Sequence, residues 1–455
     1  MANLTADTII EATGGRLLIS GDLRAFNGVS IDSRTIRDDD IFFALRGEKF
    51  NGHDFLNDAL SRAGGAVIDS FPRALPANKT IVQVNDTLRA LQDLAHYRRK
   101  RLNIPVVAIT GSNGKTTTKE MTHSILNGKF KAFKNKGNLN NHIGLPLSLA
   151  GVASDIEVIV LELGMNAPGE IKRLCEIALP SHGVITNIGS AHIGRLGSRY
   201  AIRDAKLEIL NGLSTVILNG DDLFLMEGVK DFGGEIVTFS INNDSHVMAK
   251  DLHSTEKGNR FTLAFRDGGN VPVSLNIHGL FNVYNALAAS AVCFSLSITA
   301  EEIKSALEAY TAFPMRFEIT EKKGITIIND SYNANPASVK EALKELSVLN
   351  KGRSVAVLGD MFELGEFSED EHRTVGNIVY DLEIGALVAV GDMMSLAAEE
   401  INKKTDRKPL VYTFKNADEA CKNVKNILKP GDTVLIKGSR SMSMEKIVKG
   451  ITDAL

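Results

Sequence analysis

Short, unbroken apolar runs separated by helical patterns organise this chain. Ile156 to Leu163, Gly183 to Ile188, Val216 to Leu218 and Ile236 to Phe239 show little polar alternation. Such runs suit strands of a parallel sheet buried on both faces, and the helical stretches between them predict a doubly wound core. A second strand–helix alternation follows, with strands at Ile325 to Asp330, Ser354 to Gly359, Ala386 to Val390, Val411 to Phe414 and Thr433 to Lys437. Its helices carry start signals: Asn335 before Pro336, Ser368 with Glu371, and Asn416 with Glu419. Between the two series, Asp244 to His278 turns polar and alternating, with Lys257-Gly-Asn259 and Asp267-Gly-Gly-Asn270 as turns, and predicts an antiparallel insert. Helices are predicted at Phe281 to Ser295 and after Thr299, where Glu302 completes a capping box. The N-terminal stretch mixes short strands (Val29 to Ile31, Ile41 to Leu45, Ala66 to Ile68) with a helix over Gly52 to Ala63. A further helix, Thr87 to Arg101, leads out of it.

That helix leads into Val106-Val-Ala-Ile-Thr110-Gly-Ser-Asn-Gly-Lys115-Thr-Thr-Thr-Lys119, the segment with the most chemistry in it. An apolar strand enters a glycine-rich turn, and Lys115-Thr116-Thr117 opens a helix. Gly111 and Gly114 allow backbone N–H groups, that of Asn113 included, to converge on phosphate oxygens at a helix N-terminus. Lys115 would then reach the β- and γ-phosphates and the Thr116 hydroxyl a Mg²⁺ ion. The spacing departs from the usual phosphate loop, because Ser112 and Asn113 alone separate Gly111 from Gly114.

Other candidates fall at strand ends, where open α/β sheets bind ligands. Glu162 closes an apolar strand and is placed to hold Mg²⁺. His192 follows the turn Thr186-Asn-Ile-Gly-Ser-Ala191; a lone histidine there is more often a capping or packing residue than a ligand. Lys206, in Arg203-Asp-Ala-Lys-Leu-Glu208, reads by spacing alone as a solvated helix lysine. Asp330 ends the first strand of the second series, and domain interfaces favour active sites.

The bulk numbers narrow the class. A chain of 455 residues predicts about three domains. The expected fold class is α/β in three domains: a small N-terminal α/β lobe (1–86), a central P-loop ATPase-like parallel sheet (87–313) and a C-terminal Rossmann-like domain (314–455), with Phe313-Pro314 as the linker. The last domain lacks a Gly-x-Gly-x-x-Gly after its first strand, which argues against a dinucleotide. With 44% hydrophobic and 24% charged residues the composition is that of a soluble globular protein, and a net charge of −3 gives no basic field for nucleic acid. Cys175, Cys293 and Cys421 are too few and too scattered for a disulfide framework or metal cluster and read as buried thiols. Without a cationic leader or a membrane-length apolar run, the cytoplasm is the expected compartment and no integral membrane segment is expected.

Taken together these motifs resemble the Mur ligase family, ATP-dependent enzymes that build the peptide of peptidoglycan precursors. The shortened loop Thr110 to Thr117 is similar to that family's version. Glu162-Leu-Gly164, Ala191-His192, Ala205-Lys206 and Asn282-Val-Tyr-Asn285 occur in family order. Asp330-Ser-Tyr-Asn-Ala-Asn-Pro336 and Leu358-Gly-Asp-Met-Phe-Glu-Leu-Gly365 resemble the branch that joins D-alanyl-D-alanine to UDP-N-acetylmuramoyl-tripeptide. The Asp-Tyr-Ala-His-Thr-Pro and Asp-Asn-Pro-Arg strings of the branch adding the third residue do not occur. A guanine motif (Asn-Lys-x-Asp) and a transporter signature (Leu-Ser-Gly-Gly-Gln) are also absent, against switch GTPases and transporter ATPases.

The resemblance implies ATP and Mg²⁺ as cofactors and an acyl-phosphate intermediate. It makes Lys115, His192 and Lys206 catalytic, Lys206 as a carbamate, and Thr116, Glu162, His192 and Lys206 metal ligands. Gly111, Asn113, Gly114, Lys115, Thr116 and Thr117 would cradle the nucleotide, Asn282 and Asn285 contact adenine, and Arg316 and Asp330 contact phosphate and ribose. Ser33, Arg34, Gly47, Asn51 and His53 would bind the UDP-sugar, and Tyr332, Asn335 and Lys437 would line the acceptor side. A monomer is implied.

Overall fold

The computed structural model describes residues 4–71, 74–267, 269–406 and 408–454. Gly268, within one of the expected turns, lies outside them. The chain forms two compact units. The first is Met1–Thr110 with Lys129–Val184 and Glu208–Val216; the second is Gly111–Gly128, Ile185–Leu207 and Ile217–Leu455.

In the first unit, β1 (Leu4–Thr5) pairs antiparallel with β3 (Ala25–Phe26). A five-stranded sheet is formed by β2 (Arg16–Ile19), β4 (Val29–Ser30), β5 (Ile41–Phe43), β6 (Gly65–Ile68) and β7 (Thr80–Gln83) in the order β2–β7–β6–β5–β4. It is parallel except at β2–β7. The expected helix over Gly52 to Ala63 is a 3₁₀ turn, Gly52–Phe55, followed by a short α-helix, Leu56–Leu60. Asn51 side-chain capping favours the tight first turn. Helix Thr87–Lys100 starts where Asp86 Oδ1 accepts the Arg89 N–H at 2.8 Å, and it ends on Arg98, Arg99 and Lys100, which suit the negative end of its dipole.

The same unit holds β8 (Val106–Thr110), β9 (Ala132–Lys134), β10 (Val158–Glu162) and most of β11 (His182–Ile185), in the order β9–β10–β8–β11. The residues of β8 and β10 are all buried, as unbroken apolar runs predict. Their parallel register sets Glu162 opposite Ile109, so the acid stands at the carboxyl end of the sheet.

Strand β12 (Thr215–Asn219) passes into the second unit. There β13 (Glu235–Ser240) runs parallel to β14 (Val247–Thr255), which continues antiparallel through β15 (Gly258–Phe265) and β16 (Gly269–Leu275). The expected insert is therefore antiparallel, but it extends the same sheet instead of standing apart from it. Helix Leu280–Ser295, buried on nearly every side, packs on Lys115–Leu126, the helix that opens after the phosphate loop.

The remaining strands are β17 (Glu318–Lys322), β18 (Ile325–Asp330), β19 (Ser354–Gly359), β20 (Ala386–Val390), β21 (Leu410–Phe414) and β22 (Thr433–Lys437), in the order β17–β18–β22–β19–β20–β21. All neighbours are parallel except the edge pair β17–β18. Alternate residues of each strand face opposite ways. Ile328, Ala356, Leu358, Leu387 and Leu435 enter one apolar cluster, with helices Pro336–Leu349, Ser368–Asp381 and Ser395–Asn402. Ile327, Val355, Val357, Val434 and Ile436 enter the other, with Ala417–Ile427 and Glu445–Ala454. Two buried faces explain why these strands read as continuous apolar runs. Asn335 and Asn416 cap their helices as expected. Ser368 does not: a 3₁₀ turn, Gly365–Phe367, runs into that helix and leaves Ser368 as its first residue, without a side-chain cap.

Candidate functional site

The phosphate loop lies in the second unit. Gly111 (φ 145°) and Gly114 (φ 82°) adopt conformations that side chains disfavour. A Cβ on Gly111 would stand 1.9 Å from Thr186 Oγ1, and one on Gly114 2.2 Å from Asn285 Oδ1. The loop is clamped from the side as well. Asn187 O accepts the Ser112 N–H at 3.0 Å, Asn187 Oδ1 accepts the Asn113 N–H at 3.1 Å, and the Thr186 hydroxyl donates to Asn113 O at 2.5 Å. Lys115 Nζ donates to Gly111 O at 2.8 Å and Ser112 O at 3.3 Å. The ammonium thus curls over its own loop, as a phosphate-binding lysine does. Thr117 is half-buried beside the buried Thr116.

Residues of the C-terminal segment meet this loop. Arg316 Nη2 donates to Thr116 Oγ1 at 3.1 Å, and Asn335 Nδ2 donates to Asn113 Oδ1 at 2.7 Å. Met315 (φ 61°) and Phe317 (φ 55°) flank Arg316 in left-handed conformations, an uncommon state for bulky residues. The guanidinium lies 3.8 Å from the centre of the Tyr332 ring. Asp330, opposite Lys437 in register, accepts from Lys437 Nζ at 2.5 Å and from the Phe317 N–H at 3.2 Å. Five expected residues, Arg316, Asp330, Tyr332, Asn335 and Lys437, are therefore linked to one another or to the loop.

Lys206 is 1% exposed, which overturns the solvated reading. Burial, with the Lys115 ammonium nearby, holds its pKa well below the usual lysine range. The two expected catalytic lysines are thus electrostatic neighbours. His192 (φ 67°) precedes the helical turn Ile193–Leu196 without capping it. Its Nδ1 is 2.7 Å from Glu363 Oε2, although out of line for a well-formed hydrogen bond. This contact and Arg195 keep the Glu363 carboxyl below its usual pKa, against the effect of burial. Asn282 and Asn285 are buried behind the loop. Asn285 Oδ1 accepts from the Thr118 hydroxyl at 3.3 Å, Asn285 Nδ2 donates to Asn282 Oδ1 at 3.1 Å, and Asn282 Nδ2 donates to His278 O at 2.7 Å.

In the first unit, Glu162 is 4% exposed and held by two asparagines absent from the sequence expectations. Asn140 Nδ2 donates to Glu162 Oε1 at 2.8 Å, while Asn135 bonds both main-chain groups of Glu162. Their signal was the run Asn135-Lys-Gly-Asn-Leu-Asn-Asn141 directly after β9. In the N-terminal lobe, Arg34 makes a two-pronged contact with Asp32 at 2.7 and 2.9 Å, holding that carboxyl down at about 2; Ser33 lies between them in the turn. His53 Nδ1 meets Asn51 Oδ1 at 3.0 Å, and Nε2 accepts the Asp69 N–H at 3.3 Å. Burial lowers its pKa, and a neutral ring with its proton on Nδ1 satisfies both contacts. Asp69 and Arg46, also missed, form a 2.8 Å ion pair beside it, and Gly47 closes the loop by donating its N–H to Phe50 O.

Cys175 and Cys293 are buried, the first pushed up to about 12 by burial, but Cys421 is partly exposed, contrary to expectation. Among the described residues no three His, Cys, Asp or Glu side chains cluster to hold a metal, and no helix is long and apolar enough to cross a membrane. The donor types at Thr116 and Glu162 are hard oxygens, which suit Mg²⁺; that ion keeps several waters and needs few protein ligands.

Three family models match the chain: Mur ligase family, catalytic domain over 25–99; Mur ligase middle domain over 109–293; and Mur ligase, glutamate ligase domain over 315–440. The UDP-N-acetylmuramoyl-tripeptide–D-alanyl-D-alanine ligase of Bacillus subtilis is 36% identical, covering 100% of this chain and 99% of the relative. Its Escherichia coli counterpart is 33% identical with the same coverage. Among solved structures, MurF from Acinetobacter baumannii is similar with a TM-score of 0.91 at 32% identity, covering 100% of this chain and 99% of that one. MurF ligase from Thermotoga maritima, in complex with ADP, gives 0.83 at 29%, covering 94% and 97%. The α/β fold in three domains, N-terminal, middle and C-terminal, is the one these structures share with the chain. The chain belongs to the Mur ligase family, and it matches the D-alanyl-D-alanine-adding members over its whole length.

Proposed function

We propose that this protein is an ATP-dependent ligase that joins D-alanyl-D-alanine to UDP-N-acetylmuramoyl-tripeptide during peptidoglycan precursor synthesis. The observation that carries this reading is the full-length match to ligases of that activity. The clamped phosphate loop supports it.

The terminal carboxylate of the tripeptide attacks the γ-phosphorus of ATP, ADP leaves, and an acyl phosphate forms. The amine of the dipeptide then adds to the activated carbonyl, and phosphate departs from the tetrahedral intermediate. Two anions must meet, so positive charge has to be placed between them. Lys115 exchanges its loop carbonyls for β- and γ-phosphate oxygens, with the N–H groups of Gly111, Gly114, Thr116 and Thr117 alongside, while the Asn113 N–H stays on Asn187 Oδ1. Arg316 adds a second cation from the C-terminal segment. Mg²⁺, when bound, would further neutralise the triphosphate; Thr116, Glu162, His192 and Lys206 are the residues assigned to it. Burial disfavours the charged form of Lys206, and the uncharged amine is the form whose lone pair adds CO₂; the resulting carbamate supplies an anion in place of a cation. That favours the carbamate assignment for Lys206.

Asn282 and Asn285 are assigned to adenine and Asp330 to ribose. Ser33, Arg34, Gly47, Asn51 and His53 are assigned to the UDP-sugar, and Tyr332, Asn335 and Lys437 to the acceptor side. The division 1–86, 87–313 and 314–455 belongs to the same reading, its second boundary supported by the gap between the family models that end at 293 and begin at 315. A cytoplasmic monomer does too.

The test is an acceptor panel with ATP, Mg²⁺ and UDP-N-acetylmuramoyl-tripeptide, scored by product mass. A pentapeptide product formed with D-alanyl-D-alanine, but none with single amino acids, is expected. A product with a single amino acid and none with the dipeptide would assign the protein elsewhere in the family.

A further inference from the structure

Two loops of the second unit cross with unusual closeness, and the expected site residues account for only one side of the crossing. One loop is His192-Ile-Gly-Arg195; the other is Phe362-Glu-Leu-Gly365, following β19. The Gly194 N–H donates to Glu363 O at 3.0 Å. A Cβ on Gly194 would stand 2.3 Å from Gly365 N, and one on Gly365 2.9 Å from Gly194 Cα, so neither glycine leaves room for a side chain. At this crossing the Glu363 carboxylate is divided: Oε2 lies 2.7 Å from His192 Nδ1, and Oε1 lies 3.0 Å from Arg195 Nη2. His192 (φ 67°) and Glu363 (φ 65°) both hold left-handed backbones, which persist only where the surroundings over-determine them.

The loop that carries Glu363 is itself fixed. The Met361 N–H donates to His372 Nε2 at 2.9 Å, and the Phe362 N–H donates to Ser439 Oγ at 2.8 Å. Glu363 is therefore presented from a held backbone to a histidine on a different segment.

We propose that Glu363 is a positioning residue for His192: its carboxylate takes Nδ1 and leaves Nε2 as the ring atom turned to ligand chemistry. An imidazole nitrogen 2.7 Å from a carboxylate oxygen keeps its proton, so Nδ1 is the protonated atom and the other nitrogen becomes the better donor of a lone pair. Arg195 keeps the carboxylate from turning away. The consequence is a coupling: the Nε2 lone pair of His192 is set for a metal only while the C-terminal loop is docked on it. The inference rests on the ligase reading for what His192 serves, but not for the geometry.

The experiment compares Glu363→Ala and Glu363→Gln with the parent by long-range ¹H–¹⁵N spectra of histidine-labelled protein, His192 being identified by its loss in His192→Gln. Spectra are taken without substrates or metal, and kcat and KM for the dipeptide are measured separately. In the parent, His192 is expected as the Nδ1–H tautomer. Glu363→Ala should shift it to Nε2–H and lower kcat roughly 10- to 100-fold, the scale for losing such a partner, with KM for the dipeptide little changed. Glu363→Gln keeps an oxygen acceptor and should retain the tautomer and recover most of kcat. An unchanged tautomer in Glu363→Ala, or equal losses in both variants together with lowered melting temperatures, would overturn the proposal. Because the tautomer is read without substrates, failure of the ligase assay alone bears on the proposed function and not on this contact.

Discussion

Lys115 and Lys206 share a neighbourhood in which burial and the Lys115 ammonium disfavour the charged form of Lys206. Lys115 is anchored by loop carbonyls that a phosphate can replace. Lys115→Ala should therefore lower turnover by roughly 10²–10³-fold, as for loss of a transition-state charge partner. Phosphate release at saturating substrates measures it, and near-parental turnover would contradict the phosphate role. Lys206 leads to a different prediction. Its pKa in the folded protein lies well below the 10.5 of a free lysine, so burying it costs stability wherever the unfolded lysine is charged. That cost vanishes above the unfolded pKa and grows as pH falls toward the folded one. In metal-free, bicarbonate-free buffer, Lys206→Met should melt higher than the parent at pH 7, with the gap narrowing toward pH 10, while ligase activity is lost. A lower melting temperature at pH 7 would show that the buried amine stabilises the fold. Spacing could not reveal this burial, because Arg203, Asp204 and Glu208 surround Lys206 in sequence and mask the inward face of its helix.

At the scale of elements, strands buried on both faces were legible, since every residue of β19, β20 and β22 is buried and nothing polar interrupts them. Edges and short pieces were not. The β17 strand, Glu-Ile-Thr-Glu-Lys, carries charge on an exposed edge and reads as loop. The residues β1 and β2 contribute are too few to set a period. Among the candidate residues, the glycine-rich loop and the acids at strand ends stand out in the sequence, but Asn135, Asn140, Asp69 and Glu363 do not, because their partners lie far off in sequence. Two predictions belong here. Gly111→Ala should abolish nucleotide binding, as its Cβ meets Thr186 in a backbone state that alanine disfavours; titration calorimetry with ADP checks it, and parental affinity would contradict the clamp. Asn335→Ala removes both a helix cap and the hydrogen bond to Asn113. A loss of about 1 kcal/mol in stability is expected from the cap, by denaturant melts, together with weaker ATP binding. Weaker ATP binding without a stability change would mean the cap is dispensable.

For the whole molecule, the phosphate loop and its helix group with the C-terminal segment in one compact unit, while β8 to β10 group with the N-terminal lobe in the other. The middle of the chain thus contributes to both, which apolar periodicity alone does not disclose. In the proposed reaction ATP activates the tripeptide's carboxylate rather than being hydrolysed by water. The most direct measurement is the isotope content of released phosphate when the tripeptide's terminal carboxylate is labelled with ¹⁸O and D-alanyl-D-alanine is present. One ¹⁸O is expected in each phosphate released, carried over when the amine displaces it. Unlabelled phosphate, released while pentapeptide forms, would contradict the acyl phosphate and the role given to the phosphate loop.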